Sequence, residues 1–212
     1  MTHKTKFGDT ANLMAEALRL FDEYNLRDPR SVTWKDTVLP LEYAYSLMLT
    51  DWVVSLQPAS SEELLLASRS QHIGRWEIPR DNYPQGREHY LKWRKDLAAH
   101  HAEITSELMK KAGYDQPKIS RVQEIILKKR IKQDVEVQIM ENALCLIFLE
   151  YQYEDLRKKY INDPGKMVNI LYKSLLKMDQ HGHAVALLLN YGPEGKALLL
   201  RAVEDIRCAK SH

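Results

Sequence analysis

The stretch Glu63-Leu64-Leu65-Leu66-Ala67-Ser68-Arg69-Ser70-Gln71-His72-Ile73-Gly74-Arg75-Trp76-Glu77-Ile78-Pro79-Arg80 decides how the chain is read. Its first half is an apolar run that a helix can bury. Its second half crowds a histidine, guanidinium groups and a tryptophan between two helix-ending residues, Gly74 and Pro79. A polar cluster at the end of a buried helix faces a cavity, a partner or water. The cluster is therefore a candidate site, to which other helices bring further groups.

Outward from it, helical periodicity and caps recur. Residues 9–26 read as an amphipathic helix carrying Leu13, Ala17, Leu20, Phe21 and Tyr24, capped by Asp9 or Thr10 and stopped by Asp28-Pro29. Residues 30–38 read as a loop around Trp34. Pro40 suits the first turn of a helix running to about Leu56. Ser60 or Ser61 caps the helix over about 61–74. After a loop over 75–85 come helices over about 86–112, closed by Gly113, then 117–130 and 133–160. The turn Asn162-Asp163-Pro164-Gly165 precedes three more, over about 165–178, 181–190 and 194–208. No period-2 segment is long enough to read as a strand. The expectation is one all-α domain of about eight to nine helices spanning 1–212, with its core at about 8–205.

Composition agrees. Of 212 residues, 44% are hydrophobic and 28% charged, an ordinary globular balance, and only 8 are Gly and 8 Pro. A net charge of +2 is too small to argue for bulk nucleic-acid or membrane binding. Cys145 and Cys208 form no disulfide framework, and Cys145 sits in an apolar run. The first six residues lack an apolar signal core, and no run approaches the ~20 residues needed to span a bilayer. A cytoplasmic protein with no membrane partner is expected.

Spacing sorts the polar side chains. Leu97, His101, Ile104 and Leu108 share a stripe, so His101 faces inward. His100 shares its stripe with Asp96, Glu103 and Glu107 and faces water. Glu42 lies beside Val38, Tyr45 and Leu49, and Glu141 beside Val137, Leu144 and Cys145. A buried carboxylate needs a partner. One shared divalent metal would compensate Glu42 and Glu141, with His72 and His101 as nitrogen ligands. Arginines such as Arg69 or Arg75 could compensate them separately, and spacing leaves both readings open.

Arg69, Arg75, Arg80, Arg87 and Arg94, interleaved with Trp76, Tyr83, Tyr90 and Trp93, form the densest Arg-aromatic region. Such a region suits an anion pocket, with guanidinium forks for phosphate or carboxylate and rings for stacking. It equally suits a loop stapled by Glu77, Asp81 and Glu88. Single-stranded RNA is a third reading, disfavoured by the low net charge. Lys128-Lys129-Arg130-Ile131-Lys132 is expected to complement a helix dipole. His181-Gly182-His183, two histidines at a turn, is a weak metal signal.

The run Leu64 to Gly74 resembles the core helix of the HD-type phosphohydrolases, in which an apolar stretch ends in His-Asp-Ile-Gly. The resemblance implies an HD-like helical domain with metal-dependent hydrolytic chemistry. Gln71 stands at the His of the pair and His72 at the Asp; Glu42 would replace the first His and Glu141 the last Asp. Residues about 8–205 also resemble an uncharacterised helical family. The likeness rests on Ser70-Gln71-His72-Ile73-Gly74-Arg75-Trp76-Glu77-Ile78-Pro79-Arg80, Tyr83-Pro84, Gly86-Arg87, Tyr90 to Arg94, His101-Ala102-Glu103 and Gln138 to Glu150. Members of that family are sometimes labelled glutamyl-tRNA synthetase-like, because His72-Ile73-Gly74 and Lys177-Met178-Asp179 mimic synthetase signatures. Those signatures require a nucleotide-binding βαβ sheet, so synthetase activity is not expected.

The reading is thus a degenerate HD-like hydrolase acting on a small phosphorylated or otherwise anionic molecule. Glu42, His72, His101 and Glu141 would hold a divalent ion. Arg69, Arg75, Trp76, Arg80, Arg87 and Trp93 would bind substrate, and Glu77 or Glu103 would act as general base. The alternative is a non-enzymatic protein holding a small anion, nucleotide or RNA in the Arg-aromatic pocket.

Overall fold

Strong local starts and stops set the helices. Ser61 accepts from the Leu64 amide to open one helix, and Asp115, Asp134, Asp163 and Asp179 do the same for four others. The computed structural model describes residues 7–210, with side chains described for 12–209. The expected caps Asp9 and Thr10 and the first six residues lie outside those limits. The order is α1 (Phe7–Asn25), β1 (Ser31–Trp34), β2 (Thr37–Pro40), α2 (Leu41–Leu56), α3 (Glu62–Ser70), α4 (Arg87–Ala112), α5 (Gln116–Ile126), α6 (Val135–Ile147), α7 (Tyr153–Lys159), α8 (Pro164–Leu175), α9 (Gln180–Leu188) and α10 (Pro193–Lys210). A π-helical turn, Phe148–Gln152, runs from α6 into α7 without a break. The described residues therefore hold nine helical rods, and the fold class is all-α. No described helix is long and apolar enough to cross a membrane.

One expected loop is a hairpin. β1 and β2 pair antiparallel with Val32 opposite Leu39 and Trp34 opposite Thr37. Lys35 and Asp36 turn the chain at φ of 47° and 61°, the left-handed pair that a tight two-residue hairpin demands. Four-residue strands are too short to show alternation, and Lys35 is not a residue that announces such a turn. The basic run also departs from expectation. α5 ends at Ile126, and Lys128, Arg130 and Lys132 adopt positive φ beyond it, so the run is not helical.

The chain gathers into two compact units, Met1–Lys129 and Arg130–His212. In the first, α2 packs on α3, α3 and α4 on α5, and α1 on α3 and α4. Phe21, Leu49, Leu64, Leu66, Met109 and Ile125 are at most 1% exposed, each contributing roughly 1.5–3 kcal/mol by burial. In the second, α8 packs on α10 and α6 on α9, around Met140, Leu146 and Tyr153.

The end of α3 turns on Gly74. Its φ of +69° starts the short 3-10 turn Arg75–Glu77, and a Cβ there would stand 2.6 Å from Ile104 Cδ1. Strain and overpacking add. Gly74→Ala is expected to lower stability by roughly 2–4 kcal/mol. Urea unfolding checks this, and a loss under about 0.5 kcal/mol would show that the turn tolerates a side chain.

Candidate functional site

The site is built on an acidic pair at the start of α2. Asp28, 5% exposed, accepts from the Arg30 backbone amide at 3.0 Å, from Arg30 Nε at 2.9 Å and Nη2 at 2.8 Å, and from the Glu42 amide at 3.1 Å. Burial pushes the Asp28 carboxyl up, but the Arg30 and backbone bonds outweigh it and hold it below its ordinary value. Asp28 thereby serves the start of α2, where Pro40 gives no side-chain cap. The hairpin returns the chain so that Arg30 reaches Glu42 as well, at 2.8 Å.

Glu42 fares less well. It is 2% exposed, receives one bond from an arginine already spent on Asp28, and lies 3.8 Å from Arg75 Nε. Its Oε2 has no hydrogen-bond partner among the described residues. Burial raises its pKa to about 7 against the pull of Arg75 and Arg30. An attraction at 3.8 Å is worth roughly 4 kcal/mol at an effective dielectric near 20. Desolvation of a buried ion costs several kcal/mol, and the raised pKa shows that it wins.

The expected inward histidines meet here. His72 Nδ1 lies 4.0 Å from Glu42 Oε2, and the His72 and His101 ring centroids are 5.9 Å apart. His101 is 2% exposed, with Leu97 and Ile104 of its stripe also buried. Its Nδ1 donates to the Ile73 carbonyl at 2.6 Å, which leaves Nε2 as an unprotonated acceptor without a partner. Burial, with the charge of Arg75 nearby, lowers its pKa to about 3, the Ile73 bond notwithstanding. His72 is also held low, by burial first and then by the charges of Arg75 and its neighbours. Both rings are therefore neutral at pH 7.

The arginines divide into two groups. Arg69 is forked on Asp22 at 2.6 and 2.8 Å, and Arg80 donates to the Tyr83 and Pro84 carbonyls. These two serve structure. Arg75 is different. It lies over the Trp93 ring, 5.4 Å from the centroid, and makes no side-chain hydrogen bond among the described residues. Trp93 is fixed in turn by donating to the Ile78 carbonyl at 2.9 Å. Arg87 and Arg94 are exposed on α4.

The other candidates lie apart from the Glu42 cluster in their contacts. Glu77 accepts from Tyr24 at 2.8 Å and from His100 Nε2 at 2.9 Å, so His100 is half-buried rather than solvent-facing. Trp76 packs on Tyr24, with centroids 5.9 Å apart. Glu103 is exposed. Glu141 belongs to the second unit, buried, with Oε1 3.8 Å from Lys177 Nζ. There His183 donates to the Leu175 carbonyl at 2.7 Å. Sequence reasoning missed Asp28 and Arg30, since Asp28-Pro29 signals only a helix stop.

A family model for a domain of unknown function, DUF4202, matches residues 15–199. The chain belongs to that family. No curated protein and no solved structure matches it significantly. The DUF4202 match spans both units and names no reaction, so function must be read from the site.

The donor set has the chemistry of a metal centre: two neutral imidazoles and a carboxylate, with His101 oriented through its second nitrogen. Ligand atoms around a tetrahedral ion stand roughly 3.4 Å apart, so the 4.0 Å gap between Glu42 and His72 is about half an ångström wide. Among the described residues no group of three or more His, Cys, Asp or Glu is placed to hold an ion as it stands.

A pH test follows for the metal-free protein. A folded pKa near 7 against 4.5 means that the folded state holds this proton more tightly than the unfolded chain. Stability from Glu42 is then full below pH 4.5 and falls by about 3 kcal/mol as pH rises through 7. Glu42→Gln removes that fall. Unfolding free energies at pH 5 and pH 8 should differ less in the variant than in the parent by about that amount. Equal differences would show that Glu42 is ionised throughout.

Proposed function

We propose that this protein is a metal-assisted hydrolase for a small anionic, phosphorylated molecule, working at the Glu42–His72–His101 cluster. The observation that carries the reading is the set of buried atoms there without partners. Glu42 Oε2 and His101 Nε2 are acceptors with no donor among the described residues; beside them Arg75, about a third exposed, makes only a 3.8 Å ion pair with Glu42. Groups of this kind are costly unless a ligand completes them. Glu42, His72 and His101 would hold a divalent ion, which supplies Lewis acidity toward water and a phosphoryl oxygen. Arg75, braced by Trp93, would take the anionic group in a bidentate fork. Release of Arg75 to the substrate would also free Glu42 for its role.

A second reading keeps the anion and omits the reaction. It is favoured by the surrounding positive charge: burial first lowers both pKa values, and then Arg30 and Arg94 lower that of Arg75 while Arg75, Lys128 and Arg94 lower that of His72, a field that opposes a cation. In it the Glu42 cluster binds a phosphorylated small molecule through Arg75, and Glu42 protonates when Arg75 turns to the ligand.

One experiment separates them. Protein purified after growth with Mn2+, Fe2+ and Zn2+ is assayed for metal by plasma mass spectrometry and for phosphate release from a panel of phosphomonoesters. The first reading expects about one equivalent of metal, lost in His101→Ala and in Glu42→Gln, and phosphate release that chelator abolishes. No metal, with phosphate binding that weakens about tenfold or more in Arg75→Ala, would establish the second reading. Metal and phosphate binding both absent would remove the site.

A further inference from the structure

The second unit contains a cavity of its own, about 330 Å³, between the start of α6 and the segment entering α9. That is the lower end of the range for small-molecule sites. Lys132, Asp134, Gln138, Ile139, Met178 and Asp179 line it. Two of these, Gln138 and Asp179, belong to a polar ladder whose orientation can be worked out in full. Gln138 Nε2 donates one hydrogen to Asn142 Oδ1 and the other to the Lys177 carbonyl, both at 3.0 Å. Asn142 Nδ2 donates to Asp179 Oδ1 at 2.8 Å, and Asn142 Oδ1 also accepts from the Asp179 amide at 3.2 Å. Flipping either amide would set oxygen against oxygen, so neither flips.

The ladder is packed tightly. A Cβ on Gly182 would stand 2.7 Å from Asn142 Oδ1, and Asp179 Oδ1 also caps α9 through the Gly182 amide at 2.8 Å. Both Gln138 hydrogens are therefore spent inward. Its Oε1, on a side chain of a residue only 8% exposed, accepts no bond among the described residues and is left for the cavity. Asp179, exposed at the mouth, adds a carboxylate whose Oδ2 accepts no bond among the described residues, and Asp134, paired with Arg130 at 3.6 Å, stands on the wall. Ile139 and Met178, 8% and 4% exposed, supply an apolar floor. Lys132 stands on the exposed rim.

Gln138 Oε1 and Asp179 Oδ2, acceptors with no donor among the described residues, select a ligand that brings donors. We infer that this cavity binds a small primary ammonium compound with an aliphatic tail: the ammonium on Gln138 Oε1 and Asp179, the tail on Ile139 and Met178. Lys132 on the rim extends the match to a free amino acid, whose carboxylate it pairs. The helix starts at α6 and α9 do not draw an anion here, because Asp134 and Asp179 already occupy their amides. The site is independent of the Glu42 cluster, and neither depends on the other.

Calorimetric titration of the full chain with three probes tests it: leucine, 3-methylbutylamine and 4-methylpentanoate, which share a branched tail. Leucine and the amine are expected to bind and the acid not. Asp179→Asn keeps a competent helix cap but replaces an acceptor by a donor, and is expected to weaken both ammonium ligands at least tenfold with an unchanged melting temperature. Lys132→Gln is expected to weaken leucine and leave the amine unchanged. Amide shifts on adding leucine should localise to 132–139 and 178–179. The inference is overturned if the acid binds as well as leucine, if Asp179→Asn binds like the parent, or if neither ammonium compound binds up to about 10 mM.

Discussion

A carboxylate buried where its compensation is incomplete is the constraint on which the first unit turns. Glu42 sits at the start of α2, 2% exposed. The nearest basic group, Arg30, is committed first to Asp28 with two side-chain bonds and one backbone bond. What remains for Glu42 is one shared hydrogen bond and an arginine at 3.8 Å. A helix could bury Leu or Met at this position at no electrostatic cost. Keeping an acid there, raised to a pKa of about 7, makes physical sense if a cation or a proton completes it during function.

The surrounding elements follow from that requirement. The hairpin doubles the chain back to bring Arg30 to Glu42. Gly74, left-handed after α3, turns the backbone so that His72 and Arg75 flank Glu42 while the Ile73 carbonyl takes His101 Nδ1. That last bond fixes which imidazole nitrogen is left open. Trp93 holds Arg75 from behind. Charge sets the balance among possible ligands: two neutral imidazoles and a half-protonated acid accept a cation, whereas Arg75 asks for an anion. In the proposed function a phosphorylated substrate with an ion would satisfy both at once.

Much of this was legible in the sequence, because burial follows period. The stripe Leu97–His101–Ile104 predicts an inward His101, and Glu42 and Glu141 are buried as their neighbours imply. Helix boundaries were readable from Ser61 as a cap, Gly113 as a stop and Asn162 to Gly165 as a turn, whereas the capping by Asp163 and Asp179 emerges only from the structure. Long-range pairings were not readable. Nothing local joins Asp28 to the Glu42 amide or Asp22 to Arg69, so the Arg-aromatic region could not be divided into staples and open groups. The hairpin was hidden by its shortness and by a lysine at positive φ. His100 looked solvent-facing because a helical wheel does not show that Glu77 arrives from the 3-10 turn to cover it.

The most direct measurement on this account is the protonation of His101 at neutral pH. Long-range nitrogen–proton NMR spectra of metal-free protein, labelled at histidine, distinguish the two tautomers and the imidazolium. The account predicts that His101 is neutral with its proton on Nδ1, and that adding Zn2+ shifts its Nε2 resonance and one His72 nitrogen together. A His101 protonated on Nε2, or doubly protonated, would contradict it, because the open acceptor on which the site depends would not exist.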